Sequence, residues 1–531
     1  MADETYKILI ADNLAEEGVE ILKKAGCFEI DYRKKTERAD LLNDIKDVHG
    51  LIVRSASTVD QEVLDKAEKL KVVIRAGVGV DNIDIPACSQ KGIVVMNAPG
   101  GNSISTAEQA IALMFATARY TAVADQSMKQ GKWEKKNFKG TQLTGKTLGV
   151  VGLGRIGKEV VKRGKGLQMN ILGFDPYIPK QNLEHLQIDL VDIDTIIANS
   201  DFITVHTPLT ETTRGLINKG NLDKLKDGAR LINCARGGIY DEDALAEGLN
   251  SGQIAGAGID VFTQEPPPED FPLREAKNVV LTPHLGASTD EAQIEVAKET
   301  AQEMVDYFTE GVARNSLNFP TLDPQEMDAL APWFSLCERL GEFASQTLEN
   351  PVKSIKMQFF GEITDLNLKP LEIAMAKGAL AQAFGEEVNL VNAPVLAEER
   401  GIDIQIKKED TGDASVLRVK FSNSSEELQL RATVNFSGGT IIGINNLPLE
   451  FIPEGNLLFI KNKDVPRVVG ELGHILGEKD INIASLHLSR DAKGGTALTV
   501  IQVDGDVPDE LLDALRAKEF IVTARGIKIH A

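Results

Sequence analysis

The chain has 531 residues, too many for one hydrophobic core and enough for three or four domains. With 42% hydrophobic and 26% charged residues it has a globular composition, and a formal net charge of −21 argues against nucleic acid or an anionic membrane as partner. Four scattered cysteines (Cys27, Cys88, Cys234, Cys337) show neither a CxxC pair nor zinc-ligand spacing, so no metal site is expected and free thiols in a reducing cytosol are.

"MADETYKILIAD" enters a strand with no basic and apolar leader, so a cytoplasmic protein is expected. "YKILIAD", "GLIVRSA", "LKVVIRAG" and "GIVVMNAP" alternate with helix-like segments, the signature of βαβ units and a parallel sheet. Polar residues gather where these strands end: Arg54 and Ser55, Arg75, then Asn102 in "APGGNS". Ligands of open α/β sheets bind at such ends, and a guanidinium fork matches a carboxylate or phosphate. Both an anion clamp and a pair of surface ion-pairing arginines satisfy this stretch. "STAEQAIALMFATARYTAVA" carries Glu108 and Arg119 and reads as a buried or interface helix, not a membrane span.

A second sheet begins with "KTLGVVGLGRIGKEVV". Gly152, Gly154 and Gly157, with Arg155 and Ile156 between them, follow a strand and open a helix; the next strand ends at Asp175. Gly152 makes the tight turn, Gly154 admits a pyrophosphate, and Gly157 lets helix and sheet pack closely. The helix N-terminus offers free N–H groups to the phosphates, and Asp175 would accept from both ribose hydroxyls while repelling a 2′-phosphate. The cofactor expected is NAD. Further strands, "DFITVHTPL", "ARLINCARGG", "GAGIDVFTQEP" and "VVLTPHLG", bring Thr207, Cys234 to Arg236, Asp260 with Glu265, and His284 to one edge. The active site is expected in the cleft between this sheet and the first. Beyond His284, Ser288 and Glu291 form an S-x-x-E capping box, and Ile294, Ala297, Ala301, Met304 and Phe308 share a helical face that would return to the first domain.

"NSLNFPTLDPQE" changes composition and places a boundary near 316. The block to about 452 mixes strands and helices without a chemical cluster. From "EGNLLFIKNKDVPRVVGELGHILGEKDINIASLHLSR" onward the pattern is βαββαβ, which matches an ACT domain, a small amino-acid-sensing module.

"GLGRIG", Asp175, "HTPLT", "NCARGGIYDEDAL", "GAGIDVFTQEPP" and "TPHLGAST" together resemble the D-isomer-specific 2-hydroxyacid dehydrogenases. "RAGVGVDNID", "NAPGGNSISTAE" and the long C-terminal extension are similar to the phosphoglycerate-oxidising branch of that family. The resemblance implies α/β architecture: a flavodoxin-like substrate domain (1–99 plus 287–315), a Rossmann NAD domain (100–286), an α+β intervening domain (316–452) and an ACT-like regulatory domain (453–531). It implies NAD-dependent oxidation of 3-phosphoglycerate to 3-phosphohydroxypyruvate, the first step of L-serine biosynthesis. His284 would be the general acid/base, Glu265 its orienting carboxylate, and Arg236 the group that binds the substrate carboxylate and polarises the C2 oxygen. Asp260 would lie near the nicotinamide, with Thr207, Cys234 and the backbone near Val78 lining the cofactor. Arg54, Ser55, Arg75 and Asn102 would then supply a second anion site, which a phosphorylated 2-hydroxy acid needs.

A homodimer or homotetramer is implied, with Lys135 or Lys136 of "GKWEKKNFKG" standing where a neighbouring subunit's cation reaches the phosphate. Asn462, Asp464 and Asn482 match positions that bind L-serine, although Arg467 stands where the family usually has glycine. Two alternatives are another D-2-hydroxyacid dehydrogenase (a glyoxylate or hydroxypyruvate reductase) and an NAD-sensing scaffold like the dehydrogenase-derived corepressors.

Overall fold

The structure, a computed structural model, describes residues 5–320, 324–409 and 414–530. Residues 1–4 of the N-terminal segment and 321–323 of the boundary segment lie outside the described residues.

Strands β1 (Tyr6–Ile10), β2 (Phe28–Tyr32), β3 (Gly50–Val53), β4 (Val72–Arg75) and β5 (Val94–Asn97) form a parallel sheet in the order β2-β1-β3-β4-β5. This is the flavodoxin-like order expected. β3 and β5 are buried along their whole length, as strands covered by helices on both faces must be. The edge strand β2, "FEIDY", has no counterpart in the sequence reading, because Glu29 and Asp31 interrupt any apolar run.

The second sheet comprises β6 (Thr147–Val151), β7 (Asn170–Phe174), β8 (Asp189–Leu190), β9 (Phe202–Val205), β10 (Ala229–Asn233), β11 (Ile254–Ile259) and β12 (Val279–Leu281). Its order is β12-β11-β10-β9-β6-β7-β8, all parallel, with the topological switch between β6 and β9. The two-residue β8 is too short for a sequence pattern, so His284 follows the seventh strand of this sheet and not the sixth.

The chain crosses between the sheets twice, side by side. Helix Ser103–Arg119 enters the second sheet, and helix Asp290–Glu310 returns to bury Ala297, Ala301 and Met304 in the core of the first. The Ser105 and Thr289 hydroxyls lie 2.6 Å apart, and the Thr106 hydroxyl donates to the Gly286 carbonyl, so the crossings are tied together. The helix cap is Thr289, whose hydroxyl accepts from the Ala292 amide; Ser288 lies one residue outside, its own amide donating to the Leu285 carbonyl. A Ser/Thr pair offers two cap oxygens; the backbone of Ser288 belongs to the turn after Leu285, which leaves Thr289 at the cap position. The first sheet also holds the chain past residue 316: Leu317 N–H donates to the Val95 carbonyl and the Asn318 amide oxygen accepts from Val95 N–H.

The remaining strands are β13 (Ser354–Phe360), β14 (Asp403–Glu409), β15 (Val416–Ser422), β16 (Glu427–Asn435), β17 (Gly438–Ile444) and β18 (Leu447–Phe451), then β19 (Gly455–Lys463), β20 (Ile483–Arg490), β21 (Thr496–Val503) and β22 (Ile521–Ile529). The first six make a mixed sheet, β14-β13-β15-β16-β17-β18, and the last four an antiparallel sheet, β20-β21-β19-β22, with the expected βαββαβ connection. One face of the last sheet packs on its own helices through Leu472, Leu511 and Leu515. Its other face shares a core with helix Pro324–Thr347, where Leu457, Phe459, Val500 and Ile527 meet Leu336 and Phe343. Among the described residues no helix is long and apolar enough to cross a membrane, and no His, Cys, Asp and Glu cluster could hold a metal.

Candidate active site

The glycine-rich turn after β6 has the clearances a dinucleotide needs. Gly152 has φ +89°, and a Cβ there would come within 2.5 Å of the His206 carbonyl. At Gly157 a Cβ would sit 1.9 Å from the Gly152 carbonyl, whereas at Gly154 nothing lies within 4 Å. The first and third glycines are thus required by packing, and the second leaves open space where helix Arg155–Gly166 presents its N-terminus. Arg155 is exposed and Ile156 half-buried. Asp175, at the end of β7, accepts from the Leu153 amide at 2.9 Å and from the Tyr177 amide at 2.9 Å, so it fixes the turn from the neighbouring strand. Beyond β9 the Thr207 hydroxyl is buried without a partner, as is Nδ1 of His206. Burial pushes His206 down to about 3, so it is neutral. These unpartnered polar atoms beside an open glycine turn fit NAD.

The His284 turn follows β12. His284 adopts φ 55°, and its amide donates to the carbonyls of Asp260 and Thr282. Its Nδ1 lies 2.7 Å from Oε2 of Glu265, and both side chains are partly exposed toward the cleft. Burial pushes the Glu265 carboxyl up, but hydrogen bonds from His284 and from the Phe262 amide outweigh it and hold the group below its ordinary value. Arg236 follows β10, in a turn that Asn233 closes by donating to the Arg236 carbonyl and accepting from Ala235 N–H. Its Nη1 donates to the Ala235 carbonyl and its Nε to Asp81, at 3.2 Å, on the first domain.

Asp260, expected beside the nicotinamide, is fully buried, and its carboxylate is taken up by the Thr282 hydroxyl and the Leu285 and Gly286 amides. It anchors the His284 turn from beneath. The Cys234 thiol is buried, and burial, with the charge of Asp260, pushes it upward. The Val78 carbonyl accepts from Asn97 at 2.6 Å, which fixes the "GVG" turn facing Arg236.

Arg54, Ser55, Arg75 and Asn102 line one small cavity of about 70 Å³, walled on the far side by Ala292, Gln293 and Val296 of the returning helix. Arg75 is mostly buried and its Nε has no partner. Burial, then the charges of Arg236 and Arg54, bring it down to about 10, while Asp81 and Asp12 partly offset them. Arg236 in turn acts on Glu265. One electrostatic chain therefore runs from Arg54 through Arg75 and Arg236 to Glu265 and His284, across both sheets. It places three cations in one cleft, where Arg236 is paired with Asp81 and Nε of Arg75 is left without a partner. A larger cavity of about 1040 Å³ lies beside helices Pro324–Thr347 and Lys369–Phe384, but there Glu338 already pairs with Lys377 and Glu342 accepts from His530 N–H.

Sequence reasoning missed Asp12, Asp81, Asn82, Asn97 and Asn233. Each holds the turn or side chain of a site residue rather than facing the cleft as a strand-end cation, so no local pattern marks it. Lys135 and Lys136 are exposed in a short 3₁₀ turn, remote in sequence from the cleft residues.

The three proposed effector residues are not brought together within one chain. Asn462 is buried, bonded to Thr499 and to the Lys463 carbonyl, and Asp464 pairs with Arg490 at 2.7 Å. Asn482 precedes β20 at the opposite end of the sheet, where Ile483 faces Val503, and donates to Asp504. Arg467 occupies the left-handed region, φ 78°, at the start of helix Val468–Gly477, where glycine would cost nothing.

Residues 111–286 match the NAD-binding domain of D-isomer-specific 2-hydroxyacid dehydrogenases, 329–445 the D-3-phosphoglycerate dehydrogenase intervening domain, and 456–520 the ACT domain. The chain is 41% identical over 527 residues to D-3-phosphoglycerate dehydrogenase of Archaeoglobus fulgidus, covering 98% of this chain and 100% of the relative. It is 36% identical to the Bacillus subtilis enzyme of that name, covering 99% and 100%. Among solved structures, D-2-hydroxyisocaproate dehydrogenase superposes with a TM-score of 0.53 at 28% identity, over 59% of this chain and 99% of that one. A glyoxylate reductase from Paecilomyes thermophila gives 0.54 at 28%, over 59% and 98%. The chain belongs to the D-3-phosphoglycerate dehydrogenases, within the D-isomer-specific 2-hydroxyacid dehydrogenase family.

Proposed function

We propose that the enzyme oxidises 3-phospho-D-glycerate to 3-phosphohydroxypyruvate with NAD, the entry to L-serine synthesis. The observation that carries this is the continuous cationic cleft, in which Arg236 neighbours the His284–Glu265 pair on one side and the Arg54–Arg75 cavity on the other. Arg236 binds the C1 carboxylate and polarises the C2 oxygen. With Nδ1 held by Glu265, His284 takes the C2 hydroxyl proton on Nε2, and the carboxylate stabilises the imidazolium that forms. NAD, when bound, accepts the hydride that leaves C2. The glycine turn, Asp175, Thr207 and Cys234 hold it, and Asp260 serves by fixing the His284 turn. Arg54, Ser55, Arg75 and Asn102 hold the phosphate, a demand that glyoxylate or lactate does not make.

The two crossings near residues 98–102 and 286–290 support a substrate domain of 1–99 plus 287–315 around an NAD domain of 100–286, with intervening and ACT domains after 316. Exposed Ile104, Phe115, Met128 and Trp133 support a homo-oligomer paired through the helices after the first crossing, with Lys135 or Lys136 offered to the neighbour. L-Serine is the proposed effector of the ACT domain; the separation of Asp464 from Asn482 supports a site shared between two copies. The proposed location is the cytoplasm. Initial rates with NAD and a panel of D-2-hydroxy acids test the central reading. The phosphorylated substrate is expected to exceed its unphosphorylated counterpart by about a hundredfold in kcat/KM, as loss of a paired charge requires; a preference for unphosphorylated acids would overturn it.

A further inference from the structure

The loop from Arg54 to Ser57 carries two of the four residues assigned to the phosphate in the phosphate-side cavity, yet it has no regular structure of its own. Two side chains outside it hold its backbone. Asp12, buried just beyond β1, accepts from the Arg54 amide at 2.5 Å and the Ser57 amide at 3.2 Å through Oδ2, and from the Ser57 hydroxyl at 2.9 Å through Oδ1. Asn82, from the next loop, donates through Nδ2 to the carbonyls of Arg54 at 2.7 Å and Ser57 at 2.5 Å. The amide and carbonyl of both end residues are thus bonded, and the Arg54 guanidinium is steadied against the Asn13 carbonyl at 3.1 Å. Ser55 and Ala56, between them, are exposed.

We propose that Asp12 and Asn82 are positioning residues that set the specificity for a phosphorylated substrate: they hold this loop in the shape that aims Arg54 and Ser55 at the phosphate. The inference rests on the reading of the cavity as the phosphate side of the active site. Neither side chain touches substrate. Their effect is to remove the ordering cost of a four-residue loop before the anion arrives.

Asp12 acts here through its oxygens more than its charge. An amide in its place keeps an oxygen for the two backbone N–H groups and gives its NH₂ to the Ser57 hydroxyl, which can accept as well as donate. Alanine removes every contact.

The test uses the full-length enzyme, with 3-phosphoglycerate and an unphosphorylated D-2-hydroxy acid as substrates. Asp12→Ala and Asn82→Ala are each expected to raise the KM for 3-phosphoglycerate about tenfold with kcat changed by less than about threefold, the scale of a modest misplacement of binding groups. The ratio of kcat/KM between the two substrates falls by the same tenfold, and Asp12→Asn restores most of it. A merely structural role would lower both substrates together and would not be rescued selectively. Equal losses on both substrates, or an unchanged KM in Asn82→Ala, overturn the proposal. Should Asp12→Ala not fold, Asn82→Ala and Asp12→Asn carry the test, the latter then retaining a ratio close to wild type. Arg75→Met separates the two layers: if it leaves the ratio unchanged, the reading of the cavity fails. If it abolishes the ratio while Asn82→Ala does not move it, only the present inference fails.

Discussion

Nε of Arg236, which follows β10 of the second sheet, lies 3.2 Å from Oδ2 of Asp81, which follows β4 of the first, so the guanidinium proposed to bind the substrate is itself a bridge across the cleft. It fits there because of a missing side chain. A Cβ on Gly79 would come 1.7 Å from Nη2 of Arg236. Gly79→Ala is therefore expected to expel the guanidinium while leaving the sheets intact, since the atom that must move ends a flexible side chain. The expected loss in kcat/KM is about a hundredfold, the cost of misplacing a group by an ångström or so, with NAD affinity little changed. Steady-state kinetics and NAD binding by protein fluorescence check it; near-normal turnover would show that Arg236 works from another position.

Glu265 and His284 make a second pair, within the NAD-binding domain. Glu265→Gln keeps a hydrogen-bond acceptor but removes the charge that stabilises an imidazolium. Turnover is expected to fall by about 10–100-fold, part of what general acid–base catalysis contributes. Steady-state rates check this, and turnover within about twofold of wild type would remove Glu265 from this role. Glu265 itself is held below its ordinary value, so the stability it contributes is present near neutrality and is lost as pH falls through that lowered value.

Much of this site was legible in the sequence because its determinants are local. The turn after β6 shows its glycines at fixed spacing, and β3, β4 and β5 are continuous apolar runs that end at Arg54, Arg75 and Asn97 or just before them. The edge strands were hidden for a physical reason. β2 carries acids on its open side and β8 is two residues long, so neither shows a burial pattern. The helix cap fell at Thr289 because either hydroxyl satisfies the same pattern and tertiary contact with Ser105 favours one. Asp12 lies 42 residues from the Arg54 amide it holds, and Asp81 lies 155 residues from Arg236. Such partners follow from the folded topology, not from any window of sequence.

Asp175 gives a prediction about cofactor choice. Its carboxylate already bonds the Leu153 amide of the glycine turn, so it shapes that turn in addition to the ribose contact proposed for it. Asp175→Ser is expected to raise the KM for NAD by about tenfold, the value of one hydrogen bond to a charged group. NADP use should become measurable, since the repulsion of a 2′-phosphate is gone. Rates with both cofactors decide this, and wild-type enzyme that used NADP as readily as NAD would defeat it.

Glu303 gives the last prediction, on stability. It lies on the returning helix, buried between Glu299 and Asp306, with Oε1 bonded to Asn315 and Oε2 without a partner. Burial is the main reason its carboxyl is pushed up to about 8; the neighbouring acids add to this, against the hydrogen bond from Asn315 and the charge of Arg155. The folded protein keeps this proton to about pH 8, whereas the unfolded chain releases it near the ordinary glutamate value of about 4.3. Between those limits unfolding releases a proton, so stability must fall as pH rises, by up to about 1.4 kcal/mol per pH unit for this one group. The contribution is fully present below the unfolded value and gone above the folded one. Glu303→Gln keeps an acceptor for Asn315 and cannot ionise. It should unfold at higher urea than wild type at pH 8.5 and lose that advantage at pH 5. Urea unfolding at the two pH values measures the difference; parallel pH dependence in variant and wild type would mean that Glu303 is ionised in the folded protein and that its charge is met by groups such as Arg155.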